Sequence, residues 1–266
     1  MEKSVFLDSM GAEFICNDGQ LLDCYDKIYP EVNEDLVDIY LDLDFEDKDV
    51  LSVVSSSDQI YTPKILGARH VDGFDRNRLT KYYYYMRRWA IKYNKQIYPY
   101  GLIDGNRKYL YDLLTKVKAS SKSETNALNF WIDLYNKDVK IENLFYEDTV
   151  NVGQTLFSDN IRYIKDVSSD DLRFYNLNMF EKFDTDKTYD YVMMSNIIEY
   201  AHGDINTLKT VRNNLYNLLN KDGKVICSRL MNKRCGFNEE ELSTFGELFD
   251  IYDYGCEEGY TYTKKC

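Results

Sequence analysis

The chain has 266 residues, of which 44% are hydrophobic and 29% are charged, and its formal net charge is −12. A chain of this size can bury a full hydrophobic core, and its composition predicts one large domain or one domain with a substantial insertion. The negative charge argues against nucleic-acid binding and against adsorption to anionic membranes, because both depend on Lys and Arg facing phosphates. A small molecule or another protein is the favoured partner.

The sequence predicts a cytoplasmic protein without stable membrane insertion. No run approaches the ~20 apolar residues of a membrane span, and the first residues lack the apolar core of a signal peptide. The six cysteines are scattered without a Cys-x-x-Cys pair, and only two histidines accompany them. This pattern predicts reduced structural thiols and no metal site. Nothing in the residues indicates an oligomeric state.

The chain divides into a lead-in, a core and an insertion. Residues 1–48 are acidic and weakly patterned, and they are predicted to pack on the core, with a short helix over residues 33–45. Residues 49–94 and 172–266 form the predicted core. Residues 95–171 interrupt the core after its second helix, and a connection of this length is expected to have structure of its own. Amphipathic segments within it predict a mostly helical insertion.

The predicted core elements alternate along the chain. The strands cover residues 50–54, 70–74, 172–177, 189–195, 224–230, 250–254 and 260–264, and the helices cover 58–67, 78–93, 205–219 and 239–248. The first strand is a continuous β-branched run, which is typical of a parallel strand buried on both faces. Alternating strands and helices predict a parallel sheet with right-handed crossovers. The last two strands follow each other closely, so a closing antiparallel hairpin is expected.

Several segments of the core resemble a known family when they are taken in order. They read V-L-S-V-V-S-S-S-D-Q at 50–59, G-A-R-H-V-D-G-F-D-R-N at 67–77, Y-D-Y-V-M-M-S-N-I-I-E-Y at 189–200 and S-D-N-I-R-Y-I-K-D at 158–166. They resemble the class I S-adenosylmethionine-dependent methyltransferases, and more narrowly the uncharacterised bacterial relatives of the betaine-lipid synthases. The resemblance implies an α/β fold with a Rossmann-like seven-strand sheet, whose last strand lies antiparallel beside the penultimate one.

The resemblance also implies an S-adenosylmethionine site at the carboxyl ends of the first strands, where open α/β sheets generally bind ligands. The loop after the first strand would hold the methionine part of the cofactor through backbone N–H groups and hydroxyls. The carboxylate that ends the second strand would accept hydrogen bonds from the ribose. The third strand end would read the adenine amino group, and the fourth would face the transferable group. The implied cofactor-binding residues, in strand order, are Ser55, Ser56, Ser57, Asp58, Asp75, Arg76, Asn178, Met179, Ser195 and Asn196.

Each of these residues also has a purely structural interpretation. Asp58 and Asp75 could be N-caps of the helices that follow them. Asn178 could close a turn without binding a cofactor, and Ser195 with Asn196 could cap the next helix. The first loop also lacks the glycines that let a backbone approach a cofactor closely. Since serine keeps a Cβ atom, the backbone can approach a cofactor closely only if the serines have negative φ.

The favoured function is an S-adenosylmethionine-dependent transferase that moves a methyl or a 3-amino-3-carboxypropyl group to a small-molecule acceptor. Catalysis would come mainly from positioning the acceptor in line with the leaving sulfur. Glu199 and Tyr200 lie one turn beyond the fourth strand, and they are the candidates to take a proton. The alternative is a non-catalytic methyltransferase-fold protein for binding or assembly. An NAD-type Rossmann protein is disfavoured because the loop has no Gly-x-Gly-x-x-Gly.

Overall fold

The computed structural model describes two short segments near the start and most of the rest of the chain. The described residues are 4–7, 13–16, 27–146 without 33, 35, 37–39, 41, 42, 95 and 97, then 171–228 without 202, 239–253 and 259–265. The predicted helix over 33–45 falls partly outside these residues, and the segment at 158–166 falls wholly outside them. Both stay predictions.

The described elements follow the predicted order closely. The strands are β1 Ser4–Leu7, β2 Glu13–Cys16, β3 Asp49–Val53, β4 His70–Asp75, β5 Phe174–Asn176, β6 Tyr189–Ser195, β7 Leu219–Ser228, β8 Phe249–Asp253 and β9 Gly259–Lys264. The α-helices are α1 Asp58–Ile65, α2 Arg78–Trp89, α3 Tyr100–Ile103, α4 Arg107–Leu114, α5 Lys122–Asn136, α6 Ile205–Leu218 and α7 Glu239–Gly246. A π-helical turn, Ala90–Asn94, extends α2, and 3-10 turns cover Ile141–Leu144 and Ile197–Ala201.

The main sheet has seven strands in the order β5-β4-β3-β6-β7-β9-β8. The first five are parallel to one another, and β9 lies antiparallel between β7 and β8. This confirms the predicted α/β fold and its antiparallel last strand. An all-parallel sheet of the NAD-binding type is thereby contradicted. Strands β1 and β2 form a separate antiparallel pair that the sequence pattern did not predict.

Helix α2 lies between the sheet and the insertion, which explains its run of four tyrosines. Tyr82, Tyr83, Tyr84 and Tyr85 are each at most 1% exposed, although they point to all sides of the helix. The ring of Tyr82 stacks on Phe130 of α5 at a centroid distance of 4.0 Å. A helix that is apolar all round needs neighbours on every side. The insertion supplies the side that the sheet leaves open.

The described part of the insertion is helical, as predicted, and it shares one hydrophobic core with the sheet. Two indole N–H groups join α5 of the insertion to α2: Trp89 donates to the Glu124 carboxylate at 2.8 Å, and Trp131 donates to the Tyr82 carbonyl at 3.0 Å. Buried indoles normally require such partners. The domain limits themselves stay predictions, because residues 147–170 are outside the described part of the chain.

Strand β7 begins earlier than its sequence indicates. The prediction started it at residue 224, after Gly223, whereas the structure starts it at Leu219. Tyr189 pairs with Leu219 and Tyr191 pairs with Lys224, so β7 contains extra residues opposite β6. Such a bulge hides a strand start from pattern analysis, since it breaks the two-residue alternation.

Candidate functional site

A cleft of about 380 Å³ lies at the carboxyl ends of β3, β4, β5 and β6. This is the edge of an open parallel sheet at which ligands generally bind, and the volume lies within the usual range for small-molecule sites. The loops after the four strands and two segments outside the sheet form its walls. The lining residues are Lys27, Ile28, Tyr29, Val53, Ser55, Phe74, Asp75, Arg76, Asn77, Thr80, Tyr146, Leu177, Asn178, Met179, Phe180, Ser195, Asn196, Ile197 and Tyr200.

The serine turn, residues Ser55 to Ser57, follows β3 with a glycine-like backbone. Ser55 has φ 44° and Ser57 has φ 79°, so both occupy the left-handed region. The condition of negative φ that was attached to these serines is therefore not met at Ser55 and Ser57. The turn keeps the path that glycine would follow, and the cost of a left-handed L-residue is about 1–2 kcal/mol at each position. Ser55 lines the cleft, and its N–H donates to the Asp75 carboxylate at 3.1 Å.

Ser56, Ser57 and Asp58 are fully buried, and none of them is among the residues that line the cleft. The Asp58 carboxylate accepts hydrogen bonds from Arg87 at 2.7 and 3.1 Å and from the Tyr98 hydroxyl at 3.2 Å. Ser56 Oγ also donates to it at 2.8 Å. The structure thus places these three side chains behind the turn, which the ion pair between Asp58 and Arg87 holds.

Asp58 is not the N-cap of α1, contrary to the helix-cap interpretation. The capping position is taken by Ser57, whose side chain makes no capping hydrogen bond. Asp58 is instead the first residue of the helix, where a negative charge is favourable next to the helix N-terminus. Its carboxylate is directed to Arg87 rather than to the free N–H groups of the first turn.

Asp75 ends β4 at the floor of the cleft. Its two carboxylate oxygens accept the N–H groups of Ser55 at 3.1 Å and of Asn77 at 2.9 Å. The cap of α2 is Asn77, whose side chain accepts the Leu79 N–H at 3.0 Å, so Asp75 is not needed as a cap. Burial raises the pKa of Asp75 to about 6, and the two backbone hydrogen bonds offset part of that rise. Each oxygen retains lone pairs for further donors.

Asn178 and Met179 follow β5 and form the wall of the cleft at the end of this strand. The Asn178 side chain is engaged within its own turn, since its Oδ1 accepts the Phe180 N–H at 3.2 Å and its Nδ2 donates to Glu181 at 2.8 Å. The turn-closing interpretation of Asn178 therefore describes its geometry, although the residue also lines the cleft. Met179 is 2% exposed and adds apolar surface to this wall, together with Leu177.

Ser195 is the last residue of β6 and Asn196 follows it, and both line the cleft. Ser195 has φ 53°, another left-handed position occupied by a non-glycine residue. Its hydroxyl donates to the carboxyl group of Glu34, a lead-in residue that is 2% exposed. Burial raises the pKa of Glu34, while the hydrogen bonds from Ser195 and Gln59 partly offset that effect. The lead-in thus reaches the centre of the site.

The structure separates the two residues predicted to be catalytic. Tyr200 is 58% exposed and lines the cleft. Glu199 is 5% exposed and is not among the lining residues. It lies close enough to Cys227 and Tyr260 to contribute, after burial itself, to the raised pKa of both groups. Tyr200 is therefore the one of the pair that a bound molecule would meet.

Several cleft residues were not anticipated from the sequence. Lys27, Tyr29 and Tyr146 come from outside the predicted core, and no local pattern marks them. Asn176 does not line the cleft but supports it, and it could have been noticed as a polar residue at the end of the third strand. Its Nδ2 donates to the carbonyls of Asp75 at 3.0 Å and of Arg76 at 2.9 Å, which ties β5 to the loop after β4.

Within the described ranges, no group of three or more His, Cys, Asp or Glu side chains has an arrangement suited to a metal ion. None of the helices in those ranges has both the length and the apolar character needed to cross a membrane.

No protein-family model matches the sequence, and no curated protein matches it significantly. Among solved structures, the chain is similar to the N-methyltransferase NodS from Bradyrhizobium japonicum WM9, with 7% identity, a TM-score of 0.38, and 83% of this chain and 88% of that chain covered. It is similar to a ribosomal protein L11 methylase from Lactobacillus delbrueckii subsp. bulgaricus, with 14% identity, a TM-score of 0.36 and coverage of 83% and 72%. The glycopeptide N-methyltransferase MtfA complexed with S-adenosylhomocysteine has 8% identity, a TM-score of 0.41 and coverage of 82% and 83%. At such values these similarities carry no functional argument.

Replacing Ser57 with glycine is expected to stabilise the fold by about 1 kcal/mol. Glycine relieves the left-handed strain and removes a buried hydroxyl that has no hydrogen-bond partner among the described residues, while added unfolded-state freedom cancels about 0.4–1 kcal/mol. Urea-induced unfolding measures the change. Ser57→Ala removes only the hydroxyl, so the difference between the two variants measures the backbone strain less the unfolded-state freedom that glycine adds. Ser57→Val should lower the free energy of unfolding by about 1–3 kcal/mol. If Ser57→Val is as stable as Ser57→Gly, residue 57 does not have the left-handed conformation.

Proposed function

We propose that the chain is an S-adenosylmethionine-dependent transferase whose cofactor binds in the cleft described above. The observation that carries this proposal is the placement of Asp75. Its carboxylate lies at the end of the second strand of the parallel sheet, lines the cleft, and is held by the N–H of the serine turn from the neighbouring strand. An acceptor-only group at this point suits a ribose diol, which offers two hydroxyl donors.

The chemistry of the lining residues fits the three parts of such a cofactor. Apolar side chains after β5, namely Leu177, Met179 and Phe180, offer surface for a purine ring. Asp75 offers acceptors for the ribose. Ser55 and Ser195 offer polar groups on the strands at the centre of the sheet, where the amino-acid part would lie. Polar groups at a few points in an otherwise apolar cleft are typical of small-molecule sites.

The residues of the chain would act mainly by binding and orientation. When bound, the cofactor would supply a carbon attached to a sulfonium, and an acceptor nucleophile would form a bond to that carbon while the carbon–sulfur bond breaks towards sulfur. Ser195 and Asn196 would face this carbon, and Tyr200 would contact the acceptor and relay its proton to solvent, accepting it on the hydroxyl oxygen while releasing its own hydroxyl proton. Orientation of two reactants in this manner is worth up to about 7–11 kcal/mol of barrier.

The proposed acceptor is a small molecule, and the proposed transferred group is methyl or 3-amino-3-carboxypropyl. The net charge of −12 supports an acceptor other than nucleic acid, since phosphate backbones require a basic surface. The cytoplasmic location also stays part of this proposal. A second candidate function, ligand binding without catalysis, is favoured by one observation. The serine turn carries left-handed strain at two positions, which is unusual where a cofactor loop would normally use glycine.

Titration calorimetry with S-adenosylmethionine and S-adenosylhomocysteine tests the proposal. We expect one-to-one binding of both ligands and a ligand-dependent rise in the unfolding temperature. Tyr252→Ala is a surface control, since this exposed residue lies on the edge strand β8, far from the cleft residues in the sheet order. This variant should bind both ligands as the unmodified chain does. The absence of both binding heat and a thermal shift at millimolar ligand would exclude the transferase. Binding of both ligands without turnover across a panel of amine, thiol and carboxylate acceptors would favour the second candidate.

A further inference from the structure

Two segments outside the sheet form one wall of the cleft. Ile28 donates its N–H to the Leu144 carbonyl at 2.8 Å, and Tyr146 donates its N–H to the Ile28 carbonyl at 3.0 Å. These bonds form a parallel bridge between the lead-in and the end of the described insertion. The bridge brings the rings of Tyr29 and Tyr146 together, with centroids 4.5 Å apart and planes inclined by 27°. We call these two rings the tyrosine wall.

The tyrosine wall is anchored to the buried core. Phe145 is 1% exposed, and its ring lies edge-on to Tyr83 of α2 at 5.3 Å. The Tyr83 hydroxyl donates to the Pro30 carbonyl at 2.5 Å, so one buried tyrosine contacts both segments of the bridge. An aromatic surface held in this manner is pre-organised, and a ligand that binds to it loses little affinity to ordering of the protein.

The wall stands on the side of the cleft where the nucleoside of the proposed cofactor would lie. The Asn77 side chain donates to the Lys27 carbonyl at 3.4 Å, which connects the lead-in directly to the loop that follows Asp75. Tyr29 is 36% exposed, and both tyrosines line the cleft. Leu177 and Phe180 line the same cleft from the loop after β5. The cleft is therefore lined by flat aromatic rings and by apolar side chains from these two sources.

We propose that the tyrosine wall is a stacking surface for the purine base of the ligand. This inference rests on the proposed function and adds to it a base-binding surface that is supplied by the lead-in and the insertion. A purine is planar and polarisable, and stacking of a base on an aromatic side chain is favourable without requiring hydrogen bonds. Ligand binding would then depend on two residues that lie 117 positions apart in the chain, since the bridge between Ile28 and Phe145 places Tyr29 beside Tyr146.

Calorimetry with S-adenosylhomocysteine, adenosine and L-methionine tests this surface. In Tyr29→Leu and Tyr146→Leu, a side chain of moderate apolar volume remains without a ring, and affinity for the two adenosine-containing ligands is expected to fall about tenfold or more. Affinity for methionine, where measurable, should stay within about twofold. Tyr29→Phe keeps the ring and should stay within about threefold of the unmodified chain. Circular dichroism and thermal unfolding establish that each variant is folded.

The outcomes separate this inference from the proposal on which it rests. If the unmodified chain binds S-adenosylhomocysteine and both leucine variants bind it equally well, the tyrosine wall is not a base-binding surface, while the transferase proposal stands. If Tyr29→Phe loses as much affinity as Tyr29→Leu, the hydroxyl rather than ring stacking is responsible, and the inference is overturned. If the unmodified chain binds neither S-adenosylhomocysteine nor adenosine, both proposals fail together.

Discussion

Replacing Arg87 with methionine is expected to lower the free energy of unfolding by about 3–5 kcal/mol. Arg87 and Asp58 form an ion pair in which both side chains are fully buried, and removal of one partner leaves the other charge uncompensated in the core. Arg87 also donates to the Ser56 carbonyl, so the variant frees the backbone of the serine turn. Chemical denaturation monitored by circular dichroism measures the loss.

A double variant separates the ion pair from the packing around it. Asp58→Leu with Arg87→Met removes both charges, and it should recover a large part of the stability that either single variant loses, because well-packed apolar residues can replace a buried ion pair. Arg69→Met is the surface control: Arg69 pairs with Asp49 at 2.7 Å with half of its side chain exposed, and such pairs contribute about 0–1 kcal/mol. Equal losses in Arg87→Met and Arg69→Met would show that the Asp58–Arg87 pair is not buried.

Replacing Asp75 with asparagine is expected to weaken binding of S-adenosylhomocysteine about tenfold to a hundredfold. Hydrogen bonds to a charged group contribute about 1.5–3 kcal/mol, and an amide provides one acceptor oxygen where the carboxylate provides two. The control is Asp72→Asn on the same strand, since Asp72 pairs with Lys187 at 2.6 Å and does not line the cleft. Unchanged affinity in Asp75→Asn would show that Asp75 does not bind the ligand, and the proposed function would lose its main support.

The same residue predicts how ligand affinity depends on pH. Burial raises the pKa of Asp75 to about 6, and under the proposed function the ribose hydroxyls would donate to its ionised form. Affinity should therefore be constant above pH 6 and should decrease as the pH falls below 6, and this decrease should be absent in Asp75→Asn. Stability of the ligand-free chain has the opposite sign. The folded state holds the proton more tightly than the unfolded state, so this group lowers stability as the pH rises from about 4 to 6.

The sheet could be predicted from the sequence because its signals are local. The runs at 50–54 and 189–195 are mostly apolar, polar residues follow or end them, and the observed β3 and β6 lie within one residue of them. The order of strands and helices then allowed few topologies. The strand-end residues Asp75 and Ser195 could be assigned to one edge for the same reason, since parallel strands place their carboxyl ends together.

The remainder of the site depends on contacts between distant residues, which no local pattern contains. Asp58 looks like a helix cap in sequence, and only the fold brings Arg87 to its carboxylate. Glu34 lies in a weakly patterned acidic segment, yet it meets Ser195 in the core. The left-handed backbone of Ser55 and Ser57 is also imposed by tertiary structure, because serine on its own disfavours positive φ.

The position of β9 in the sheet has a consequence for folding. Strand β8 is synthesised before β9, yet its partner in the sheet is β9, which separates it from β7. On the ribosome, β8 therefore cannot join the sheet until residues up to Lys264 have emerged, and β7 presents an unpaired edge in the meantime. Unpaired edges are templates for association with other chains. Completion of this one strand is accordingly the step at which the nascent protein ceases to be prone to aggregation along β7.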